Sequence, residues 1–600
     1  MTLLRRLLAG AALAAATVAL TGCFGSDSSP STTETASSKG GILKLGTTQD
    51  PGLDPQKDNY QLELFWCCLS RTLLTYNLRP VDDGGLDLRP DLAKALPEVS
   101  DDGLTYTLQL KQGVHYGPPF EDREVTSQDI VRGLQRGADP AVAAPNAGAF
   151  SVIKGWDAAA KKPGSPISGV ETPDPYTIVF HLSERSARFA NALANPLASP
   201  LPKGAATGHD KDYNRYVVST GPYMVAGSEQ LDFSLPPSEQ KPLSGYQPDR
   251  FIKLVRNPSY KPEPEDFREA NPDEIEISIG GTAQDIAQKV TAGALDGLFV
   301  DSAPPQFVRQ YMTSPNLRER LHINPKPLHT MLGMFNLAQP PFDDLHVRRA
   351  VNYVLDRAAI VKALGGVAAG TPAYRTLPPA LTDGAEGAAT YETATAEERL
   401  AAAREEMRQS AYDPDGTGSC SAPACKQALV INIYGTSPLP TLIKNNLAEI
   451  GIDAEFPNYE VDTAFAKCAD PKQHVGLCTQ ITLGSSTPNA AGIAEVLASS
   501  NIEGCCDLPL FGATSEQLSG WGYETTRLPS VDAKLEECSA ALGDAGTACW
   551  SDFDDYVTYE TAAIMPIMYP KQPDIVSDRV RNYAHDLFGF VSLNTVAVEE

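Results

Sequence analysis

Beyond its first 22 residues the sequence has no long apolar run, and it has no surplus of positive charge. A helix that spans a bilayer needs about 20 consecutive apolar residues, so we expect no membrane-spanning segment after this start. Asp and Glu number 75 against 49 Lys and Arg, which gives a net charge of −26 at pH 7. Such an acidic surface repels phosphate backbones, so we expect no nucleic-acid partner.

The sequence also lacks the motifs that build common catalytic and metal centres. It contains no Gly-x-Ser-x-Gly elbow, no His-Glu-x-x-His zinc motif and no glycine-rich phosphate loop. The segment Asp413–Gly418 resembles the start of a calcium loop, but Ala424 stands where that loop requires a bidentate Glu. We therefore expect a binding protein that has no cofactor, no metal and no catalytic residues, and that is not an enzyme.

The first 23 residues have the pattern of a lipoprotein leader. A short basic start precedes Leu7–Leu20, an uncharged segment of the length found in signal peptides. Leu20–Cys23 resembles the bacterial lipobox, which implies that residues 1–22 are removed and that Cys23 carries diacylglycerol. An ordinary signal peptide with a cysteine near its cleavage site is the alternative. Residues 23–40 are rich in Ser and Thr and predict a flexible linker.

Ten cysteines remain after Cys23, an even number that suits an oxidising compartment. Three local disulfides are predicted, Cys420 with Cys425, Cys468 with Cys478, and Cys538 with Cys549. Each would stabilise the fold by about 2–3 kcal/mol through chain entropy. The doublets Cys67-Cys68 and Cys505-Cys506 are harder to assign; adjacent cysteines seldom bond comfortably, which favours pairing between the doublets. A four-thiolate zinc site is the alternative.

Helices and strands alternate between about residues 280 and 460, as in an α/β lobe. A helix is predicted from about Leu345 to Leu364, where apolar residues recur at helical spacing. Thr395 opens a second helix with a capping box. Alternating apolar residues predict a strand over Leu429–Ile433, and a helix over Thr441–Ile450 follows it.

A series of short segments occurs in a recognisable order over nearly the whole mature chain, about 42–585. Together they resemble the family 5 extracellular solute-binding proteins, the peptide- and nickel-type receptors of bacterial ABC importers. The segments are Leu53–Gln56, Arg89–Ala93, Pro97–Leu108, Thr126–Ile130, Thr172–Thr177, Ser219–Tyr223, Leu254–Tyr260, Phe335–Asn336, Pro341–Val351, Ile564–Ile567 and Val580–Tyr583.

The resemblance implies an α/β fold, namely a two-lobed type II-like periplasmic binding protein fold with an extra subdomain inserted in lobe I. Two crossing strands would join the lobes, which close on ligand by hinge motion. Lobe I would hold residues 41–80, 200–275 and 566–600. The inserted subdomain would be 81–199, and lobe II would be 276–565.

Family position also implies a ligand site between the lobes. The lobe II stretch Gln480–Asn489 lacks the Asp and Trp with which peptide-binding members hold a free amine, so hydroxyls and amides there suit neutral ligands or peptide backbone. Glu63 is the carboxylate of the facing lobe I stretch and a candidate partner for a cation. Phe65 and Trp66 are equally compatible with the lobe I core. The candidate ligand-binding residues are Tyr60, Glu63, Phe65, Trp66, Phe335, Gly484, Ser485, Ser486 and Asn489.

The function implied by the resemblance is capture of a small solute, most simply an oligopeptide, and its delivery to ABC permease subunits. The protein would be a monomer on the extracytoplasmic face of the cell membrane, in contact with the bilayer through Cys23 only. A sensory or scaffold lipoprotein with the same fold is one alternative. A secreted peptide or cell-wall hydrolase is another.

Cys23→Ser tests the lipid anchor. Two or three acyl chains hold a protein stably on a bilayer, whereas the unmodified chain has no such attachment. The variant should therefore appear in the medium or periplasm with its circular dichroism spectrum unchanged, as measured by fractionation and immunoblotting. Retention of the variant in the membrane fraction would contradict the lipobox interpretation.

Overall fold

Two mixed β-sheets, each backed by its own hydrophobic core, organise the chain. The structure is a computed structural model, and it describes residues 39–58, 62–264, 266–382, 391–434, 437–484, 488–502, 507–541 and 543–599. Among these residues there is no helix with the length and apolar character needed to cross a membrane.

The first sheet defines lobe I. Its first strand along the chain, Ile42–Thr47, runs parallel to Glu274–Ile279. Leu43 and Leu45 of this strand are buried, as the alternation of apolar residues predicts. Within the described chain the strand order is Gly297–Leu298, Ile42–Thr47, Glu274–Ile279, Phe251–Arg256 and Tyr223–Val225, with Tyr246–Gln247 paired to Phe251–Arg256.

A separate antiparallel sheet lies within residues 81–199, the range predicted for the inserted subdomain. Its strands, in spatial order, are Glu98–Val99, Thr105–Gln109, Thr177–His181 and Val170–Asp174. Ile178 and Phe180 from this sheet are fully buried and belong to the same continuous core as lobe I. The insert is therefore packed onto lobe I and does not have an independent core.

The second sheet defines lobe II. Thr330–Phe335 pairs antiparallel with both of its neighbours, whereas Ala428–Asn432 runs parallel to Leu477–Leu483. In the described residues the order is Gly370–Pro372, Ile564–Pro570, Thr330–Phe335, Leu477–Leu483, Ala428–Asn432 and Ala454–Glu455. This mixture of helices and strands agrees with the α/β lobe expected from the sequence.

Most of the α-helices belong to lobe II, and two more pack beside the lobe I sheet. The described residues also include two π-helices, Leu64–Leu69 and Tyr556–Glu560. The α-helices are Ser127–Ala138, Trp156–Lys161, Phe189–Ala192, Ala283–Thr291, Pro305–Thr313, Leu345–Val354, Arg357–Leu364, Ala396–Arg408, Leu439–Ala448, Val461–Ala469, Ala490–Ala494, Ser515–Trp521, Asp532–Ala540 and Gly543–Asp555.

The single helix predicted over 345–364 is two helices in the structure. Asp344 caps the first, and Leu355 has extended backbone angles that end it. The carboxylate of Asp356 then accepts a hydrogen bond from the Ala359 N–H at 2.9 Å and starts the second helix. An Asp side chain competes with the helical ladder for backbone donors, so this residue acts as a cap inside the apolar pattern.

Two short strands, here called the hinge strands, connect the lobes. Leu321–Ile323 pairs antiparallel with Pro573–Ile575. The lobe boundaries predicted at residues 276 and 566 do not coincide with the hinge strands. They fall inside the strands Glu274–Ile279 and Ile564–Pro570. Backbone pairing with distant strands assigns these two strands to lobe I and lobe II respectively, and such pairing leaves no local signal in the sequence.

The three cysteine pairs predicted from the sequence have their sulfur atoms at bonding distance. The pairs are Cys420 with Cys425, Cys468 with Cys478, and Cys538 with Cys549. The sulfur atoms of Cys67 and Cys68 also lie at bonding distance, whereas the sequence favoured pairing between the two doublets. Both residues lie in the π-helix Leu64–Leu69. The Cys505-Cys506 doublet lies outside the described residues.

Peptide mapping without reduction tests these bonds. Protein isolated from its own compartment should yield the three linked peptide pairs 420–425, 468–478 and 538–549, together with an intact 67–68 peptide that is 2 Da lighter than its reduced form. Free thiols at the six local cysteines, measured by alkylation before digestion, would contradict the pairing.

Candidate functional site

A cavity of about 520 Å³ lies between the lobes, beside the hinge strands. It is called the cleft cavity here, and it receives side chains from both lobes. A larger depression of about 650 Å³ is lined by residues 279–294 of lobe I alone. The described residues that line the cleft cavity are Leu62, Glu63, Val300, His329, Tyr434, Phe465, Gln480, Thr482, Gly484, Pro570, Gln572, Asp586, Phe588 and Phe590.

Glu63 and Asp586 form the acidic part of the lobe I side. One oxygen of the Glu63 carboxylate accepts a hydrogen bond from the Leu593 N–H. One oxygen of Asp586 accepts from the N–H groups of Phe588 and Phe590, at 2.9 Å each. These bonds fold the loop that carries both phenylalanines toward the cavity. The second oxygen of each carboxylate is buried, and no described residue donates a hydrogen bond to it.

Burial controls the protonation of these two groups. Burial and then the charge of Asp586 raise the pKa of Glu63 well above its usual range. Burial raises the pKa of Asp586 to about 7, although the backbone donors around it act in the opposite direction. The two carboxyl groups therefore titrate as an interacting pair, and they hold protons that exposed carboxylates lose.

Trp66 supports this side of the cavity from below. Its indole is 1% exposed, donates a hydrogen bond to the Ala194 carbonyl at 2.6 Å, and stacks on Phe588 at 6.3 Å between ring centroids. Phe65 is fully buried in the same core. The structure therefore places Phe65 and Trp66 in the lobe I core, the alternative to direct ligand contact. Phe588 presents the aromatic surface instead.

A buried ion cluster fixes the π-helix that carries Trp66. The Arg268 guanidinium donates to the Trp66 carbonyl at 2.6 Å and to Asp91 at 2.7 Å. Arg71 pairs with the same carboxylate at 2.7 Å. Burial opposes ionisation of Asp91, but the two guanidinium groups outweigh it and lower its pKa to about 2. This carboxylate is fully paired, unlike those of the cavity.

The lobe II side presents amide and hydroxyl groups from the strand Leu477–Leu483. Gln480 has a φ of 61°, a conformation that non-glycine residues seldom adopt. Its register with Thr330–Phe335 shifts at this point, which is a bulge that changes the direction of the side chain. The Asn432 amide donates to the Gln480 side chain at 2.8 Å and to the Tyr434 carbonyl at 2.6 Å. This amide therefore holds two cavity residues in place.

Gly484 is required by its contact with His329. A Cβ atom at Gly484 would collide with the His329 imidazole, so this position has room for glycine only. Burial lowers the pKa of His329. The imidazole is therefore neutral at physiological pH, and it contributes a polar but uncharged surface to the cavity.

Of the candidate residues from the sequence, Glu63 and Gly484 line the cleft cavity. Phe335 is fully buried and packs on Phe342 in the lobe II core. Asn489 caps the helix Ala490–Ala494 by accepting from the Gly492 N–H at 2.9 Å, so its carbonyl is used locally. Tyr60, Ser485 and Ser486 lie outside the described residues.

Sequence reasoning did not identify most of the cavity lining. Asp586, Phe588 and Phe590 come from the segment after Val580–Tyr583, where two aromatics flank a glycine within a short loop. An apolar pair outside any periodic pattern is the one local signal that marks this loop. His329, Tyr434 and Gln572 follow or precede strands, and Phe465 lies within the helix Val461–Ala469; none of the four belongs to a motif.

The fold and the interlobe cavity define a two-lobed solute-binding protein. Residues 87–500 match the bacterial extracellular solute-binding proteins, family 5, in the middle region of that family. The chain belongs to this family. The resemblance found in the sequence is therefore confirmed, and so is the two-lobed fold class.

Two curated relatives and three solved structures show the extent of the similarity. The glutathione-binding protein GsiB of Escherichia coli strain K12 is 28% identical over 304 residues, 50% of each chain. GsiB of Salmonella paratyphi A is 28% identical over 303 residues, again 50% of each chain. The chain thus spans about half the length of the curated relatives it matches.

Among solved structures, the clavulanic acid biosynthesis oligopeptide binding protein 2 has a TM-score of 0.76 at 25% identity, covering 94% of this chain and 96% of that one. The Escherichia coli murein tripeptide binding protein MppA has a TM-score of 0.66 at 18% identity, covering 93% and 98%. Haemophilus influenzae OppA, in complex with the peptide RPPGFSPFR, has a TM-score of 0.65 at 18% identity, covering 94% and 99%. The last two similarities concern the fold.

Trp66→Ala and Phe588→Ala distinguish the core from the cavity surface. Replacing the buried indole should lower the free energy of unfolding by about 3–5 kcal/mol, the range for large core aromatics. Phe588 is half-buried, so its replacement should cost distinctly less. Urea denaturation followed by circular dichroism measures both values. An equal or larger loss for Phe588→Ala would contradict this placement of the two rings.

Proposed function

We propose that this protein is the substrate-binding component of an ABC importer, and that it captures a peptide-type solute reversibly between its lobes. The observation that carries the proposal is the cleft cavity, which takes side chains from both lobes next to the hinge strands. Its volume of about 520 Å³ lies within the range of roughly 300–1,000 Å³ that small-molecule sites occupy.

The lining suits a peptide. Gln480, Thr482 and Gln572 offer amide and hydroxyl groups that match backbone N–H and C=O groups. Tyr434 and Phe465 are 46% and 42% exposed, so they provide apolar area for side chains at the mouth of the cavity. The relatives named for glutathione, oligopeptides and murein tripeptide support the same ligand class for this chain.

We further propose a non-catalytic cycle at the membrane. Cys23 anchors the monomeric receptor on the extracytoplasmic face, and residues 23–40 give the lobes the reach to meet the permease subunits. Ligand binding closes the lobes about the hinge strands, because a ligand held by both sides gains contacts only in the closed form. The relatives are named as binding proteins, which supports release of an unaltered solute.

Native mass spectrometry of the Cys23→Ser protein, purified from its own cells, tests the proposal. A co-purified peptide should appear as a defined added mass. Returning that peptide at about 100 times its dissociation constant should stabilise the emptied protein by about 2.7 kcal/mol through mass action. Small-angle X-ray scattering should show a smaller radius of gyration with ligand than without it.

Two results would contradict the proposal. Cleavage of the returned peptide, seen by mass spectrometry after incubation, would indicate a hydrolase. Binding that leaves the radius of gyration unchanged would remove lobe closure and would favour the sensory or scaffold alternative. A heat-denatured sample of the same protein is the control for chemical breakdown of the peptide.

A further inference from the structure

The cleft cavity contains two carboxyl groups that the described residues pair on one oxygen only. The Glu63 side chain is 4% exposed and that of Asp586 is 1% exposed, and both residues line the cavity. Within the described part of the chain, one oxygen of each carboxylate has no hydrogen-bond donor. Buried polar atoms in native proteins nearly always have a partner, so an unpaired pair beside a cavity indicates a group that arrives with the ligand.

No cation of the described chain reaches this pair. The described lining includes no lysine and no arginine, and His329 on the opposite side is neutral because of its burial. The described residues also contain no group of three or more His, Cys, Asp or Glu side chains that could hold a metal ion. Two carboxylates with a single face open to a cavity suit an organic cation better than a divalent metal, which needs more ligands.

The loop next to the carboxylates adds a second feature of a cation site. Phe588 and Phe590 follow Asp586 directly, and the Asp586 carboxylate holds their N–H groups at 2.9 Å. Aromatic faces attract ammonium and guanidinium groups, most strongly where water is excluded. The loop therefore presents a carboxylate and two rings to the same cavity.

We propose that Glu63 and Asp586 form a subsite for a positively charged group of the ligand, an ammonium or a guanidinium, held from lobe I. This inference rests on the proposed function and specifies its substrate class: peptides that carry a cation at the end facing lobe I. The lobe II side, with its amides and hydroxyls, then receives the uncharged part of the ligand.

A pH dependence follows from the groups that face the pair. Among the described residues these groups include the carboxyls of Glu63 and Asp586, the phenol of Tyr583 with its partners Asp574 and His585, and the imidazole of His329. Burial raises the pKa of Tyr583, so it stays protonated. In the empty receptor Asp586 retains its proton up to about pH 7 and the pKa of Glu63 is raised well above its ordinary value, whereas in the unfolded chain these groups titrate near 3.8 and 4.5.

The sign of the dependence is therefore fixed. The folded empty receptor binds more protons than the unfolded chain between about pH 4 and pH 7, so its free energy of unfolding falls as the pH rises through this window. A bound cation favours the ionised carboxylates and releases those protons. The affinity for a cationic ligand should accordingly rise over the same window.

Three pools of randomised tripeptides to pentapeptides test the subsite. The first has free amines and no Lys or Arg; the second is N-acetylated and contains Lys or Arg; the third is N-acetylated and contains neither. Peptides retained by the emptied Cys23→Ser protein are eluted and quantified by mass spectrometry. Retention of the first or the second pool over the third by about tenfold or more is expected, since hydrogen bonds to charged groups contribute that much.

Matched substitutions identify the residues responsible. Glu63→Gln and Asp586→Asn keep the shape and the accepting oxygen of each side chain but remove its charge. Each should reduce the preference for cationic over neutral peptides, and the double variant should abolish it. Asp507→Asn is the control, because Asp507 is a buried carboxylate of lobe II that does not line the cavity. It should keep the wild-type preference.

The pH dependence of the affinity for the second pool also distinguishes ligand binding by these residues from a purely structural role. Its Lys and Arg side chains stay charged from pH 5.5 to 7.5, so wild-type affinity should rise between these values. The Glu63→Gln, Asp586→Asn double variant should show no such rise. In the absence of ligand, Glu63→Gln should raise the melting temperature more at pH 7.5 than at pH 5.5.

The outcomes separate this inference from the proposed function. Equal retention of all three pools by the wild type would overturn the cation subsite while leaving peptide binding in place. Retention of no pool would overturn both. Equal loss of cationic and neutral peptides in the Glu63 and Asp586 variants would reduce these residues to a structural role and would also overturn the subsite.

Discussion

The site depends on one long-range contact, the packing of the C-terminal segment 577–599 onto the segment 62–78 of lobe I. The Leu593 N–H binds the Glu63 carboxylate, Ser592 Oγ donates to the Leu78 carbonyl at 2.7 Å, and Phe588 stacks on Trp66. Without this contact Glu63 would be the only carboxylate among the described residues on the lobe I side of the cavity, since Asp586 and its loop come from the far end of the chain. Because the hinge strand Pro573–Ile575 immediately precedes this segment, the same contact also determines where the second crossing between the lobes ends.

The two kinds of buried carboxylate in lobe I show how the protein separates structure from binding. Asp91 is enclosed by Arg71 and Arg268, and its pKa is lowered to about 2, so it is ionised under all physiological conditions and rigidly held. Asp586 has backbone donors on one oxygen only, and its pKa is raised to about 7. The ion pairs of Asp91 are part of the ligand-free fold. The second oxygen of Asp586, in contrast, could accept a hydrogen bond from the proposed ligand.

The hinge carries polar groups of its own. Tyr583 stacks on His322 at 3.8 Å between ring centroids and donates to Asp574 at 2.8 Å, so one residue of the C-terminal segment binds both hinge strands. Burial raises the pKa of Asp574 to about 7. The proposed closure about the hinge strands would have to preserve or exchange these contacts.

The sequence by itself indicated the family, the α/β character of lobe II and a helix that begins at Leu345, and it predicted the local cysteine pairs, because each of these depends on residues close together in the chain. It also identified Glu63 and Gly484 through family position. Only the tertiary structure decided that Trp66 lies beneath the cavity and Phe588 at its surface, and that Glu63 and Asp586 line the same cavity. These outcomes depend on contacts across more than 500 residues and on burial, and neither leaves a periodic or local pattern that a sequence can display.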